Sequence, residues 1–332
     1  MKKFLLIPLA MLLSLSLFAC ENDEEQDFVI YTTAYPIKFM LEEQTDGIAD
    51  VRFVPGAQQH GESIDWAAQE IISMQDADFL VYVGGGLDPY IDANLASTFE
   101  GEDVTLIRLE EYIDFIEVDL IHDHDEDHDD EHDEEHDDEH DEDHDDDDFE
   151  EMPDAHFWLD PQRMIEASNV IYDYLIDHYD TELQQAIINN NNTVFQNQLD
   201  KLLDDHHQVL SSPNRPLITN VKLFTYYERA FDVEIYPFTL SAHAHEDESI
   251  PTDYEAFIEL AEHYDIDYVV FEKNAASPAG ETLLSELRNT RPHTERLELH
   301  PLERLSNDEV KQNSNYFTIM YDNLQSLEKA ID

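Results

Sequence analysis

One cysteine, Cys20, stands in the 332-residue chain, so no disulfide forms within it and no thiolate cluster can hold a metal. Only eight glycines are present, which leaves little room for floppy linkers. Lysine and arginine together number 17 against 79 acidic residues, a formal net charge of −62, and this argues against nucleic acid as a partner. Past the N-terminus, no apolar run approaches the roughly 20 residues that a spanning helix needs. An H-E-x-x-H helix, a nucleophile elbow and a phosphate loop are also missing, which argues against a zinc hydrolase or another enzyme.

The N-terminus reads "MKKFLLIPLAMLLSLSLFAC": two lysines, an apolar stretch over residues 4–18, then Cys20. "LFAC" looks like a bacterial lipobox, with Phe18 bulkier than usual. The expectation is a signal peptide over residues 1–19, cleavage before Cys20 and lipid on its thiol, with an acidic tether over 20–27. The protein would then sit outside the cytoplasmic membrane, tethered to it.

Between residues 122 and 151 lie 22 acids and no Lys or Arg, and the rest of the chain still carries about −40. Such a surface resembles those of proteins that work in high salt or alkaline surroundings, a generally acidic surface being the plainer alternative. Within the stretch, His122 and His124 are followed by His128, His132, His136, His140 and His144 at a fixed spacing of four. No apolar core can be built there, so residues 122–151 are expected to form a disordered loop. Its imidazoles could gather metal ions as an accessory store; a solubilising spacer is the bland counterpart.

Elsewhere apolar runs alternate with amphipathic stretches. "FVIYTT", "VRFVP", "DFLVYVG" and "VTLIR" predict strands, with helices over 36–44, over 64–75 and from about Pro89. These runs suit strands buried on both faces, as in parallel sheets. Helices over 161–178 and 181–210 follow, the second with Val194, Leu199, Leu202, Leu203 and Leu210 as an apolar stripe. A second series then begins with "PLITN", "VEIYPF", "DYVVF" and "RLELH". The predicted architecture is α/β: an N-terminal lobe over 28–160, a helical linker over 161–212 and a C-terminal lobe over 213–332. The two parallel-sheet lobes are joined by a long helix.

Ligands of open parallel sheets collect beyond the carboxyl ends of the strands. His60 lies there in "GAQQHGES", His156 in "DAHFWLDP", His243 and His245 in "LSAHAHEDE", Glu272 after "DYVVF", and His300 and Glu303 in "HPLE". Two facing rims of that composition would make a nitrogen and oxygen site suited to Zn(II), or to Mn(II) with more carboxylates. Each residue also has a duller role open to it: a loop hydrogen bond for His60, a packed turn for His156, solvation for His300 and Glu303, a cap for Glu272.

At this point the chain resembles the metal-binding receptor lipoproteins of ABC importers for zinc and manganese, the cluster A-I solute-binding proteins. "TTAYPIKFM", "PGAQQHGESIDW", "MQDADFLVYVGGGLDPYID", "DAHFWLDP", "YVVFEKNAASP" and "LELHPLERLS" occur in the family's order, and an acidic, histidine-rich loop before "DAHFWLDP" is typical of its zinc-importing branch. The resemblance implies metal ligation by His60 and His156, a rigid helix between the lobes, metal in the cleft between them and slight closure on binding. It also implies delivery of Zn(II) to a permease driven by a cytoplasmic ATPase, by a receptor expected to be monomeric. One position departs: where zinc receptors carry a third histidine, this chain reads "TNV" with Val221. His243 or His245 is the expected substitute, beside His300 or Glu303, with Glu272 supporting from outside the ligand shell. A manganese or iron receptor and a surface adhesin are the alternatives that the same resemblance leaves open.

Overall fold

The computed structural model describes residues 28–58, 64–120, 150–239 and 254–332. The predicted signal peptide and Cys20, His60, the seven histidines of the acidic stretch, His243 and His245 lie outside them.

β1 (Phe28–Thr32), β2 (Ala49–Phe53), β3 (Phe79–Tyr82) and β4 (Thr105–Arg108) form a parallel sheet in the order β2-β1-β3-β4. All four side chains of β3, Phe-Leu-Val-Tyr, are buried, because helices cover both faces of such a sheet. α1 (Tyr35–Thr45), α2 (Ala68–Gln75) and the short α3 (Pro89–Asp92) belong to this half. α1 stops where Asp46 and Gly47 turn left-handed, at φ 45° and 80°. β5 (Ile116–Leu120) and β6 (Glu150–Asp154) pair as an antiparallel hairpin, Ile116 opposite Asp154 and Leu120 opposite Glu150.

That hairpin is a departure from the sequence expectation, which ends the first series at "VTLIR" and runs the loop through residue 151. The apolar alternation of Ile116, Val118 and Leu120 is a strand signal, but β6 reads "EEMPD" and merges with the acids before it. The end of the acidic stretch is therefore part of the fold, and β6 leads directly to His156.

α4 (Pro161–His178) starts where Asp160 accepts the Gln162 amide N–H at 2.9 Å and Pro161 takes the first helical position. α5 (Glu182–Leu210) starts with Thr181 accepting the Gln184 N–H at 3.2 Å. The buried face of α5 is Ile188, Phe195, Leu199, Leu202, His206 and Leu210. Val194 does not join it and is 49% exposed. Five residues before Leu199, it lies about 140° round the helix, whereas Phe195, four residues before, falls on the stripe.

β7 (Leu217–Thr219), β8 (Ile235–Pro237), β9 (Tyr268–Glu272) and β10 (Glu295–Leu299) make the second parallel sheet in the order β10-β9-β7-β8. α6 (Thr225–Phe231), α7 (Tyr254–His263), α8 (Pro278–Thr290), α9 (Asn307–Lys311) and α10 (Tyr316–Ile331) complete this half. In each sheet the chain order reverses beside a central strand, at β1/β3 and at β7/β9, and the carboxyl ends at such switch points are where ligands bind.

α5 packs against α1 and α4 on one side and α6 and α10 on the other. An aromatic seam ties these helices, with Phe195 5.5 Å from Phe317 and Phe39 5.8 Å from Phe317, ring centre to ring centre. One apolar core runs from Ile30 of β1 through Leu199 and Leu202 of α5 to Val270 of β9 and Leu299 of β10. Wide hinge opening would break that shared core, so it opposes large domain motion.

His206 is wholly buried in this bridge. Its Nδ1 donates to the Leu202 carbonyl at 2.8 Å, and its ring lies parallel to that of Tyr227 at 6.2 Å. Burial pushes its imidazole down to about 4. The unfolded chain takes up this proton near pH 6.5 and the folded chain only near 4, so stability is lost as pH falls through that window. The full shift is worth roughly 3 kcal/mol. His206→Phe should therefore lose less Tm than the parent between pH 7 and pH 4.5, and an identical fall would contradict this assignment.

Candidate metal centre

β6 delivers Asp154 and, two residues on, His156, which opens a tight turn over Phe157–Leu159. Phe157, Trp158 and Leu159 are fully buried and fix that turn, so the imidazole is held at the rim by packing. Gly85 lies against the same turn at φ +59°, and a Cβ there would come within 2.7 Å of the Phe115 ring and 3.4 Å of Ala155. Glycine is thus favoured on both steric and conformational grounds, since any side chain would have to displace the Phe115 ring.

His156 is 6% exposed. Its Nδ1 lies 2.7 Å from Asp154 Oδ1, and that oxygen also accepts the His156 amide N–H at 2.9 Å. Its Nε2 lies 2.5 Å from Oε1 of Glu303. A carboxylate on Nδ1 is the partner that fixes the ring and directs Nε2 toward a metal. Burial alone would depress the imidazole, but the Asp154 carboxylate and then Glu303 outweigh it and raise the pKa to about 9. Without metal, then, His156 is a cation clamped between two acids.

Glu303 reaches this point from the segment after β10. Asn323 of α10 holds His300 by its backbone, accepting its N–H at 2.8 Å and donating to its carbonyl at 2.9 Å. Trp158 Nε1 donates to the Pro301 carbonyl at 2.8 Å, and the Tyr35 amide to the Glu303 carbonyl at 3.0 Å. These two bonds cross from one half to the other. Arg304 adds a third, to the Gln58 carbonyl at 3.4 Å, and Gln58 in turn donates to the Thr33 carbonyl at 3.2 Å. Gln58 is two residues before His60 in the chain.

Of the residues singled out by sequence, His156 and Glu303 are in direct contact. His300 is buried close by in the chain, but its Nδ1 accepts the Leu302 amide N–H at 2.8 Å and its Nε2 lies 3.3 Å from Glu309. Burial lowers its pKa, in keeping with a neutral ring that can accept at Nδ1. Glu272 ends β9 with its amide N–H bonded to Asn220 Oδ1 at 2.8 Å. Val221 is wholly buried within the common apolar core, just past β7; an isopropyl group has no lone pair to offer a metal. Among the described residues no cluster of three or more His, Cys, Asp or Glu side chains is placed to hold an ion. His60, His243 and His245 remain as candidates outside the described residues. Sequence alone does not single out Asp154, although a carboxylate two residues before a candidate histidine is the available signal.

The family model for the zinc-uptake complex component A, periplasmic (ZnuA), matches residues 30–330. The zinc-binding lipoprotein AdcA of Streptococcus pneumoniae is 25% identical over an aligned length of 339, covering 100% of this chain and 62% of that protein. The chain thus spans less than two thirds of the curated relative it matches. The Zn(II)-bound ZnuA-like domain of the same AdcA superposes with a TM-score of 0.67 at 21% identity, covering 92% of this chain and 99% of that domain. The laminin-binding protein Lmb of Streptococcus agalactiae, described as having adhesin and metal-transporting activity, gives a TM-score of 0.67 at 16% identity, with 92% and 100% covered. These structures share the two-sheet fold, and the match over residues 30–330 makes the chain a member of the ZnuA family of zinc-uptake components.

Proposed function

We propose that the protein is an extracytoplasmic receptor that captures Zn(II) and delivers it to an ABC-type importer, with no reaction of its own. The supporting observation is the Asp154–His156–Glu303 chain at the rim between the two sheets. A tetrahedral zinc with bonds of about 2.0–2.2 Å sets neighbouring ligand atoms about 3.3 Å apart. The ion would therefore enter between Nε2 of His156 and the Glu303 carboxylate, parting them by somewhat under an ångström and displacing the imidazole proton. Asp154 keeps the ring in place meanwhile. This donor set of nitrogen and oxygen suits zinc, with manganese the weaker competitor.

Two described ligands leave a tetrahedral ion incomplete. His60 is proposed as a third, and His243 or His245 as the replacement for the histidine that Val221 excludes. Replacing both His243 and His245 by alanine should weaken zinc binding by two orders of magnitude or more, about the loss of one ligand; unchanged affinity in a titration would remove them from the site.

The stretch of seven histidines is proposed as an accessory zinc store. It joins the described fold at β5 and β6, and β6 spans about five residues, placing its root roughly 20 Å from His156. The 29 residues from 121 to 149 have a contour of up to about 100 Å, so ions held weakly there are within reach of the cleft at high local concentration. The lipid on Cys20, the permease with its ATPase and the monomeric state complete the proposal.

A further inference from the structure

We infer that His300 is a positioning residue for zinc capture rather than a ligand: its Nδ1 accepts the Leu302 amide and so fixes the turn that aims Glu303 at His156. The inference rests on the zinc-receptor reading above and adds the group that makes the acidic ligand available.

The segment His300–Pro301–Leu302–Glu303 bends sharply, and Leu302 sits at φ +69° with its side chain wholly buried. That left-handed conformation is unfavourable for leucine, whose Cβ crowds the backbone, and it persists only where surrounding contacts over-determine it. Two contacts act directly on the bend. The apolar core holds the Leu302 side chain, and the His300 ring takes the Leu302 N–H at 2.8 Å. Asn323 bonds both the N–H and the carbonyl of His300, so the acceptor is itself immobilised on α10. Pro301 and Glu303 are bonded through their carbonyls to Trp158 and Tyr35. Without the ring at residue 300, the Leu302 amide would be a buried donor lacking its acceptor, and the bend would relax toward ordinary backbone. Glu303 would then leave the 2.5 Å contact with His156.

The Nδ1 lone pair that a metal would need is already engaged, and Nε2 is turned to Glu309 at 3.3 Å. Asparagine offers an oxygen near the place of Nδ1, whereas glutamine offers one near Nε2, so the two amides distinguish positioning from ligation.

The test is zinc affinity by chelator competition on the full chain and its His300→Ala, His300→Asn and His300→Gln variants, with thermal melts and the visible spectrum of the Co(II)-loaded cleft. His300→Ala should weaken zinc binding by about tenfold to a hundredfold, as loss of a supporting partner does. His300→Asn should restore most of that loss and His300→Gln should not, while all folded variants at saturating metal keep the parent Co(II) spectrum, because the bound ion draws Glu303 back into the same ligand set at a cost in affinity. Affinity of His300→Ala equal to the parent, recovery by Gln and not by Asn, or a changed Co(II) spectrum would overturn the inference. A parent protein with no tight zinc site would overturn the receptor reading and this inference with it; a tight parent site unaffected by His300→Ala overturns the inference alone.

Discussion

Replacing His156 by alanine should weaken zinc binding at the cleft by roughly one hundredfold to several hundredfold. Zinc sites built from about four protein ligands bind with on the order of 10–16 kcal/mol, so one ligand is worth about 2.5–4 kcal/mol, and each 1.4 kcal/mol is tenfold. The loss should be specific to the metal. The His156 ring bonds to Asp154 and Glu303, while the turn that carries it is held independently by the buried Phe157, Trp158 and Leu159. Glu303→Gln should lose less, because an amide oxygen can still coordinate but brings no charge. Competition with a chromogenic chelator would read both. A His156→Ala protein that still binds zinc as tightly as the parent would place the site elsewhere.

Between pH 7 and pH 8.5, zinc affinity should rise about twenty-five-fold. An ordinary histidine with a pKa near 6.5 is already neutral in that range and would give almost no change. His156 is raised to about 9 by Asp154 and Glu303 against the effect of burial, so zinc must displace one proton per ion, and affinity gains nearly a decade for each pH unit. Above about pH 9 the curve should flatten. Asp154→Asn should flatten it throughout, because removing that carboxylate lets the imidazole lose its proton earlier. The metal-free fold responds in the opposite sense. A histidine whose folded pKa is raised contributes stability that is complete below 6.5 and disappears as pH rises through 9. Zinc affinity that stays constant from pH 7 to pH 8.5 would contradict the clamped imidazolium.

Much of this arrangement is legible in the sequence because parallel-sheet strands and capped helices have strong local signatures. "DFLVYVG" and "DYVVF" yield β3 and β9, and Asp160-Pro161 marks the start of α4. "DAHFWLDP" and "HPLE" yield His156 and Glu303, which are the two residues found in contact. What sequence does not reveal is orientation. His300 and Glu303 sit three residues apart in one motif, and only the left-handed Leu302 between them decides that one faces His156 while the other turns back to its own backbone. Asp154 escapes notice because it follows so many acids, with only Phe149, Met152 and Pro153 breaking the stretch before it. The hairpin of β5 and β6 is obscured for the same reason. Val194 shows the limit of counting apolar residues without the helical angle.

Titration calorimetry with Zn(II) and with Mn(II), on the full chain and on a version lacking residues 122–148, tests the receptor assignment most directly. The account predicts one tight zinc event that survives the deletion, several weaker events that vanish with it, and manganese binding much weaker than zinc at the surviving site. Loss of all tight zinc binding with the deleted stretch would contradict it, and would mean that a cleft with Val221 in place of the third histidine does not serve zinc.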